Sequence, residues 1–260
     1  MNSNILSHIK NLPPLPKSVL EVQKITNNPN SSIKDLVKII KTDPLITANL
    51  LKAANSPLYG FTKQIKTVDM AVSLFGMSTV KGFVISFAVR NTLKFDLSAY
   101  GISEDQFHTV STDRNALGFN WYRLNKDKLD IISTDSFLID IGAVVISLYL
   151  KSKGEAEKFK NRLTKENRYE LEKEFIGLST PEVTAEIFKH WNFSEELIKP
   201  ILNIDNPNDE YSKVMDVLRT IIDLLEPDNE ENIQKGIKKA EEYGLDADSL
   251  KVAVDLIKGS

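Results

Sequence analysis

The chain has 260 residues, 42% of them hydrophobic, and its 33 basic and 36 acidic residues leave a formal charge of -3. This size and composition can bury a large core, while the near-neutral balance gives no net field to draw in a nucleic-acid backbone. With no cysteine, disulfides, thiolate metal sites, iron–sulfur clusters and cysteine nucleophiles are all excluded, and His8, His108 and His190 are the only imidazoles.

Met1 to Leu12 carries polar residues every few positions and lacks the basic start and unbroken apolar stretch of a secretory signal. The longest apolar candidate, Phe137 to Leu150, is interrupted by Asp140 and falls short of the roughly 18 residues that span a bilayer. A cytoplasmic protein without membrane contact is expected. Leu12-Pro13-Pro14-Leu15-Pro16 has PxxP spacing, which could dock as polyproline II in an aromatic groove of a partner. The preferred reading is structural: the prolines end a first helix, set the start of the next at Pro16, and bury Leu12 and Leu15.

From there almost every segment has helical period. Ile33, Leu36, Val37 and Ile40 share one face, and Lys34, Lys38 and Lys41 form a solvated stripe rather than a nucleic-acid surface. Helices are predicted near 16–27, 32–42, 44–55, 67–75, 77–94, 104–125, 131–151, 153–175, 181–192, 194–203, 209–225, 230–243 and 247–258. Start signals agree: Ser32 with Asp35 and Ser103 with Gln106 have capping-box spacing or close to it. Asp43-Pro44 and Thr180-Pro181 each place an N-cap oxygen before a proline at the first helical position. Turn chemistry at Asn55-Ser56-Pro57, Tyr59-Gly60, Asn206-Pro207 and Glu226-Pro227 separates helices without a long linker. Phe95 to Gly101 is the best joint, giving one domain over 1–260 with a helical lobe at about 1–95 and a second at about 102–260.

Gly76-Met77-Ser78-Thr79-Val80-Lys81-Gly82 has the small residues and lysine of an anion-binding helix start, but its glycine spacing is wrong for a P-loop and no strand precedes it. A tight turn between helices, with Gly76 as C-cap or packing position, is expected. His108, Asp140 and His190 could converge on a metal only if the fold gathers them, and each histidine is read first as a packing or surface residue. Asp140 stands out, because a carboxylate between Leu138, Ile139 and Ile141 needs a partner if it is buried.

The ordered set Leu12 to Pro16, Thr42-Asp43-Pro44-Leu45, Leu50 to Ser56, Tyr59-Gly60, Ile65 to Thr67, Ala71-Val72 and Leu74-Phe75-Gly76 resembles the HDOD family, an output-domain branch of the HD phosphohydrolase superfamily. Phe137-Leu138-Ile139-Asp140-Ile141-Gly142 sits where that family usually reads Leu-Leu-His-Asp-Ile-Gly, and Glu174 through Leu197, with Trp191, resembles the following helix pair. The resemblance covers roughly 5–207 and implies an all-α, HD-like orthogonal bundle with two helical lobes. It also implies a degenerate metal site. The vestigial ligand positions are Thr109, Ile139, Asp140 and Asp205. His108 would replace Thr109 only if the register moves by one, a turn of about 100° on a helix. Ile204 supplies no ligand where relatives carry histidine.

The resemblance therefore implies a non-catalytic regulatory domain of bacterial signalling, with no cofactor, no metal and no catalytic residue. Its partner is expected among diguanylate cyclases, phosphodiesterases, kinases or response regulators, or it is a small ligand; the residues that bind that partner are unknown. The competing reading is a residual metal-dependent phosphohydrolase acting on nucleotides or cyclic dinucleotides through His108, Asp140 and Asp205.

Overall fold

The computed structural model describes residues 3–28 and 30–259, and every regular element in them is helical. Met1, Asn2 and Ser260, which belong to the expected amino-terminal and domain limits, lie outside the described residues. The early helices are α1 (Ser3–Lys10), α2 (Lys17–Thr26), α3 (Ile33–Thr42), α4 (Pro44–Ala54) and α5 (Val68–Thr92). The middle of the chain forms α6 (Glu104–Tyr122), α7 (Leu129–Leu138), α8 (Ile141–Ser152), α9 (Ala156–Leu163) and α10 (Arg168–Ile176). The chain closes with α11 (Thr180–His190), α12 (Glu195–Leu202), α13 (Glu210–Ile221), α14 (Glu230–Glu242) and α15 (Ala247–Lys258).

Local chemistry explains most boundaries. Asp35 Oδ2 accepts the Ser32 backbone N–H at 2.9 Å, completing the capping box that starts α3. Asp43 Oδ1 accepts from Leu45 N at 3.0 Å and Ile46 N at 3.1 Å, with Pro44 at the first helical position of α4. Gly76, at φ 82° and ψ 163°, breaks α5 into two helical halves, as the expected turn requires, in a conformation that a side chain would strain.

Four expectations need correction. The predicted helix over 131–151 is two helices, α7 and α8, cornered at Ile139 and Asp140. The one over 153–175 is also two, because Asn167 Oδ1 caps α10 by accepting from Tyr169 N at 3.0 Å and Glu170 N at 3.2 Å. The cap of α11 is Ser179, one residue before Thr180: Glu182 Oε2 accepts from Ser179 N at 2.7 Å, which frees the Thr180 hydroxyl for Glu172. Two stretches, Val68–Thr92 and Lys126–Ser152, are also long and apolar enough to cross a membrane by length and composition, contrary to the sequence reading. Both are segments of the core, the second bent at the α7–α8 corner, with 61% and 89% of their most apolar windows buried.

One hydrophobic core runs from Ile5 to Val254. Its centre is an aromatic group in which Phe75 meets Tyr59, Phe83 and Phe119 at centroid distances of 5.0, 4.9 and 5.3 Å. The edge-on geometry suits the ring quadrupoles. The Tyr59 hydroxyl donates to Asn115 Oδ1 at 3.0 Å, tying the early helices to α6. The proline-rich segment lies on the end of α11: His190 Nε2 is 3.1 Å from the Leu12 carbonyl, and Trp191 Nε1 donates to the Pro13 carbonyl at 3.2 Å. Leu15 is buried there while Pro13, Pro14 and Pro16 are exposed.

Candidate functional site

The helix corner between α7 and α8 puts Asp140 inside the protein, 2% exposed. Arg114 from α6 places Nη1 2.5 Å from Asp140 Oδ2, and its Nε donates to the Ile222 carbonyl at 2.7 Å. Arg168, the first residue of α10, donates through Nη2 to Asp140 Oδ1. Each carboxylate oxygen thus has its own guanidinium. Arg168 Nε in turn lies 3.3 Å from Oε1 of Glu172, which is fully buried. Glu172 accepts the Tyr100 hydroxyl at 2.8 Å, the Thr180 hydroxyl at 2.7 Å and the Thr180 N–H at 2.5 Å.

Two guanidiniums and two carboxylates make this cluster electrically neutral, and it joins α6, the α7–α8 corner, α10 and the start of α11. Burial pushes the Asp140 carboxyl up, but Arg168 and Arg114 overcome that and hold it well below the usual carboxylate range. Burial also pushes Glu172 up, against the opposing pull of Arg168 and the Thr180 and Tyr100 hydrogen bonds. The packing around the corner is close. Thr184 Oγ1 accepts the Gly142 N–H at 3.0 Å and donates to the Ile139 carbonyl at 3.1 Å, and a Cβ on Gly142 would fall 2.4 Å from the Thr180 carbonyl oxygen.

The other sequence-derived positions do not join Asp140. Ile139 is buried, its side chain in the core and its carbonyl held by Thr184. Thr109 is exposed, so the register of α6 turns this position outward; the α6 residue that reaches Asp140 is Arg114. His108 is half-buried, with Nε2 3.2 Å from Glu104 Oε1 and its ring 5.0 Å from that of Phe95. Asp205 is exposed and pairs with Arg219 at 2.8 Å, while the neighbouring Ile204 carbonyl accepts from the same guanidinium at 3.2 Å. His190 holds the Leu12 carbonyl, and His8 packs edge-on to Tyr149.

Among the described residues no three His, Asp or Glu side chains are placed to share a metal ion. A divalent cation does not fit at Asp140: both its carboxylate oxygens are bound to arginine, and the two guanidinium charges would repel a metal ion there.

Sequence reasoning missed Arg114 and Arg168. The signal for Arg114 is its place in the stripe Phe107, Val110, Leu117 and Trp121, spaced three and four apart and otherwise apolar.

The pattern of the HDOD domain matches residues 12–207. The chain belongs to the HDOD family. Among solved structures, this HDOD chain is similar to a Shewanella amazonensis protein named as a candidate phosphohydrolase. The TM-score is 0.70 with 23% identity, covering 99% of this chain and 94% of that one. It is also similar to a Marinobacter aquaeolei protein named as a candidate signal transduction protein, with TM-score 0.69 and 18% identity, over 96% of this chain and 57% of that one. At these identities the likeness shows the HD-like helical fold. An uncharacterized Treponema pallidum protein is 28% identical over 92 residues, 35% of this chain; the match spans 18% of that protein's length.

Several cavities lie outside the Asp140 cluster. A mostly apolar groove of about 550 Å³ beside the first half of α5 is lined by Phe61, Lys63, Ile65, Met70 and Leu74 among others. A smaller cavity of about 270 Å³ between α6, the end of α13 and α15 holds Asp113 and Asp228 among aliphatic side chains. Burial, with Asp228 adding to it, pushes the Asp113 carboxyl up to about 6.

Proposed function

We propose that this HDOD protein is a non-catalytic signalling domain that acts by binding a protein partner or a small ligand in a bacterial pathway. The observation that carries the reading is the clamping of Asp140 between Arg114 and Arg168, which supplies two positive charges where a hydrolase would hold its metal. Family membership and the fold shared with a protein named for signal transduction support a signalling context. The partner belongs to the diguanylate cyclase, phosphodiesterase, kinase or response-regulator classes, met in the cytoplasm, or is a small ligand. The continuous core supports treating the chain as one domain of two lobes. Thr109, Ile139, Asp140 and Asp205 are then relics of a metal site, with Asp140 retained to join helices.

Metal analysis of the purified protein, calorimetry with manganese, iron and magnesium, and turnover assays on nucleotides and cyclic dinucleotides test this. The expected result is no stoichiometric uptake and no turnover. Turnover that disappears in Asp140→Ala would establish the phosphohydrolase reading in its place.

A further inference from the structure

Helices α5 and α7 form the most extensive helix contact of the fold, and Gly82 is what lets them close. A Cβ at Gly82 would fall 2.8 Å from the Ser133 carbonyl oxygen. Charged groups are shut into this contact. Lys81 of α5, 4% exposed, places Nζ 2.6 Å from Oδ1 of Asp130, which lies at the start of α7 and keeps contact with solvent. Asp135, about one and a half turns further along α7, is fully buried, and neither of its carboxylate oxygens has a hydrogen-bond donor.

The donors nearby are already engaged. Asn115 Nδ2 donates to the Ser133 carbonyl at 2.9 Å and to Ser136 Oγ at 3.3 Å, Ser133 Oγ donates to Thr79 Oγ1 at 3.2 Å, and Thr134 Oγ1 donates to the Asp130 carbonyl at 3.1 Å. Lys81 carries one positive charge, and its close ion pair is with Asp130. Most charged groups on the packed elements are engaged elsewhere. On α5, Asp69 pairs with Lys41 and Arg90 lies towards Glu104, leaving Lys81 as the cation that acts on Asp135; on α6, Arg114 is held by Asp140, His108 faces Glu104, Asp113 faces Asp228, and Asn115 is neutral. Lys128, just before α7, pairs with Glu210 of α13 at 2.6 Å, and Tyr211 of α13 feels Asp130 and Glu196 of α12. None of these provides Asp135 with a counter-charge of its own. A carboxylate buried without donor or counter-ion is neutralised in preference to being ionised. Burial accordingly raises the Asp135 carboxyl well above its usual range, with Lys81 opposing the rise and Asp130 adding to it.

We propose that the α5–α7 contact is a proton-gated seam, shut while Asp135 carries a proton and released when that proton passes to solvent. Once ionised, Asp135 needs water or the Lys81 ammonium. Admitting water parts the helices, and recruiting Lys81 breaks its pair with Asp130.

Hydrogen exchange of the full chain across pH 5 to 9, corrected for the intrinsic base-catalysed rate, tests the seam alongside carbon NMR of the aspartate carboxyls. Between the ordinary carboxylate range and the raised value, an opening that lets Asp135 ionise grows about tenfold per pH unit. Protection of α5 and α7 amides should fall with that slope while α14 and α15 hold theirs, and Asp135→Asn should remove the slope. The proposal is overturned if Asp135 titrates in the ordinary range, if α5 and α7 protection is flat with pH, or if α14 and α15 lose protection in parallel. Should Asp135→Asn fail to fold, Asp135→Leu takes its place, and the carboxyl titration of the unmodified chain still decides.

Discussion

Arg114 and Asp140 meet at 2.5 Å with 2% of each side chain exposed, so the pair sits in the interior with neither charge in water. Removing one partner leaves the other half compensated. Arg114→Met should cost about 3–5 kcal/mol in urea denaturation, since breaking a buried pair leaves an uncompensated charge. The same change strips the Ile222 carbonyl of its donor. An unchanged urea midpoint would show that Asp140 is held by Arg168 alone.

The pH dependence of Asp140 has a definite sign. Burial alone would raise its pKa, yet Arg168 and Arg114 set it well below the ordinary range, so the native carboxylate is harder to protonate than the unfolded one. The stability it contributes is complete above the unfolded value of about 4 and is lost as pH falls through the lowered native value. Thermal melts between pH 2 and 6 should show a steep acid limb in the native chain and a shallower one in Asp140→Asn, on top of that variant's lower overall stability.

Asp113 has the opposite sign. Its native carboxyl is raised to about 6, first by burial and then by Asp228, so its contribution to stability declines as pH climbs from the ordinary range towards 6 and is constant above it. Carbon NMR should find one aspartate titrating near 6, and that signal should be absent from Asp113→Asn. Asp228→Asn should lower the value, because it removes the neighbouring charge.

Gly142 is fixed by space. A methyl group there would meet the Thr180 carbonyl oxygen at 2.4 Å and Thr184 Oγ1 at 2.8 Å, and the first of these is backbone that cannot swing aside. Gly142→Ala should destabilise by about 3 kcal/mol, the upper end of the usual overpacking cost. It should also weaken the Thr184 bridge to the Ile139 carbonyl. A denaturation midpoint equal to that of the native chain would show that α11 can slide on α8.

The helical fold was legible because its determinants are local: apolar period, Ser32 and Asp43 caps, and prolines at helix starts. What misled the sequence reading was also local. The α7–α8 corner at Ile139 and Asp140 has no glycine or proline to mark it, and the run through it is apolar on both sides. Ser179 and Thr180 are both good caps, and Glu182 on the Ser179 N–H together with Glu172 on the Thr180 hydroxyl decides between them. The candidate site was half legible. Asp140 announced itself as a carboxylate in an apolar run, whereas Arg114 and Arg168 are residue types usually found on surfaces, and their convergence on Asp140 depends on contacts 26 and 28 residues apart.

The seating of Leu12 and Pro13 on His190 and Trp191 has a consequence for how the chain is made. These hydrogen bonds join residues 178 positions apart, so during synthesis the first helices leave the ribosome long before their anchor exists. A nascent chain stopped before α11 would carry the proline-rich segment without its hydrogen-bonding partners, a natural place for a chaperone to hold on and for a protease to find unfinished copies.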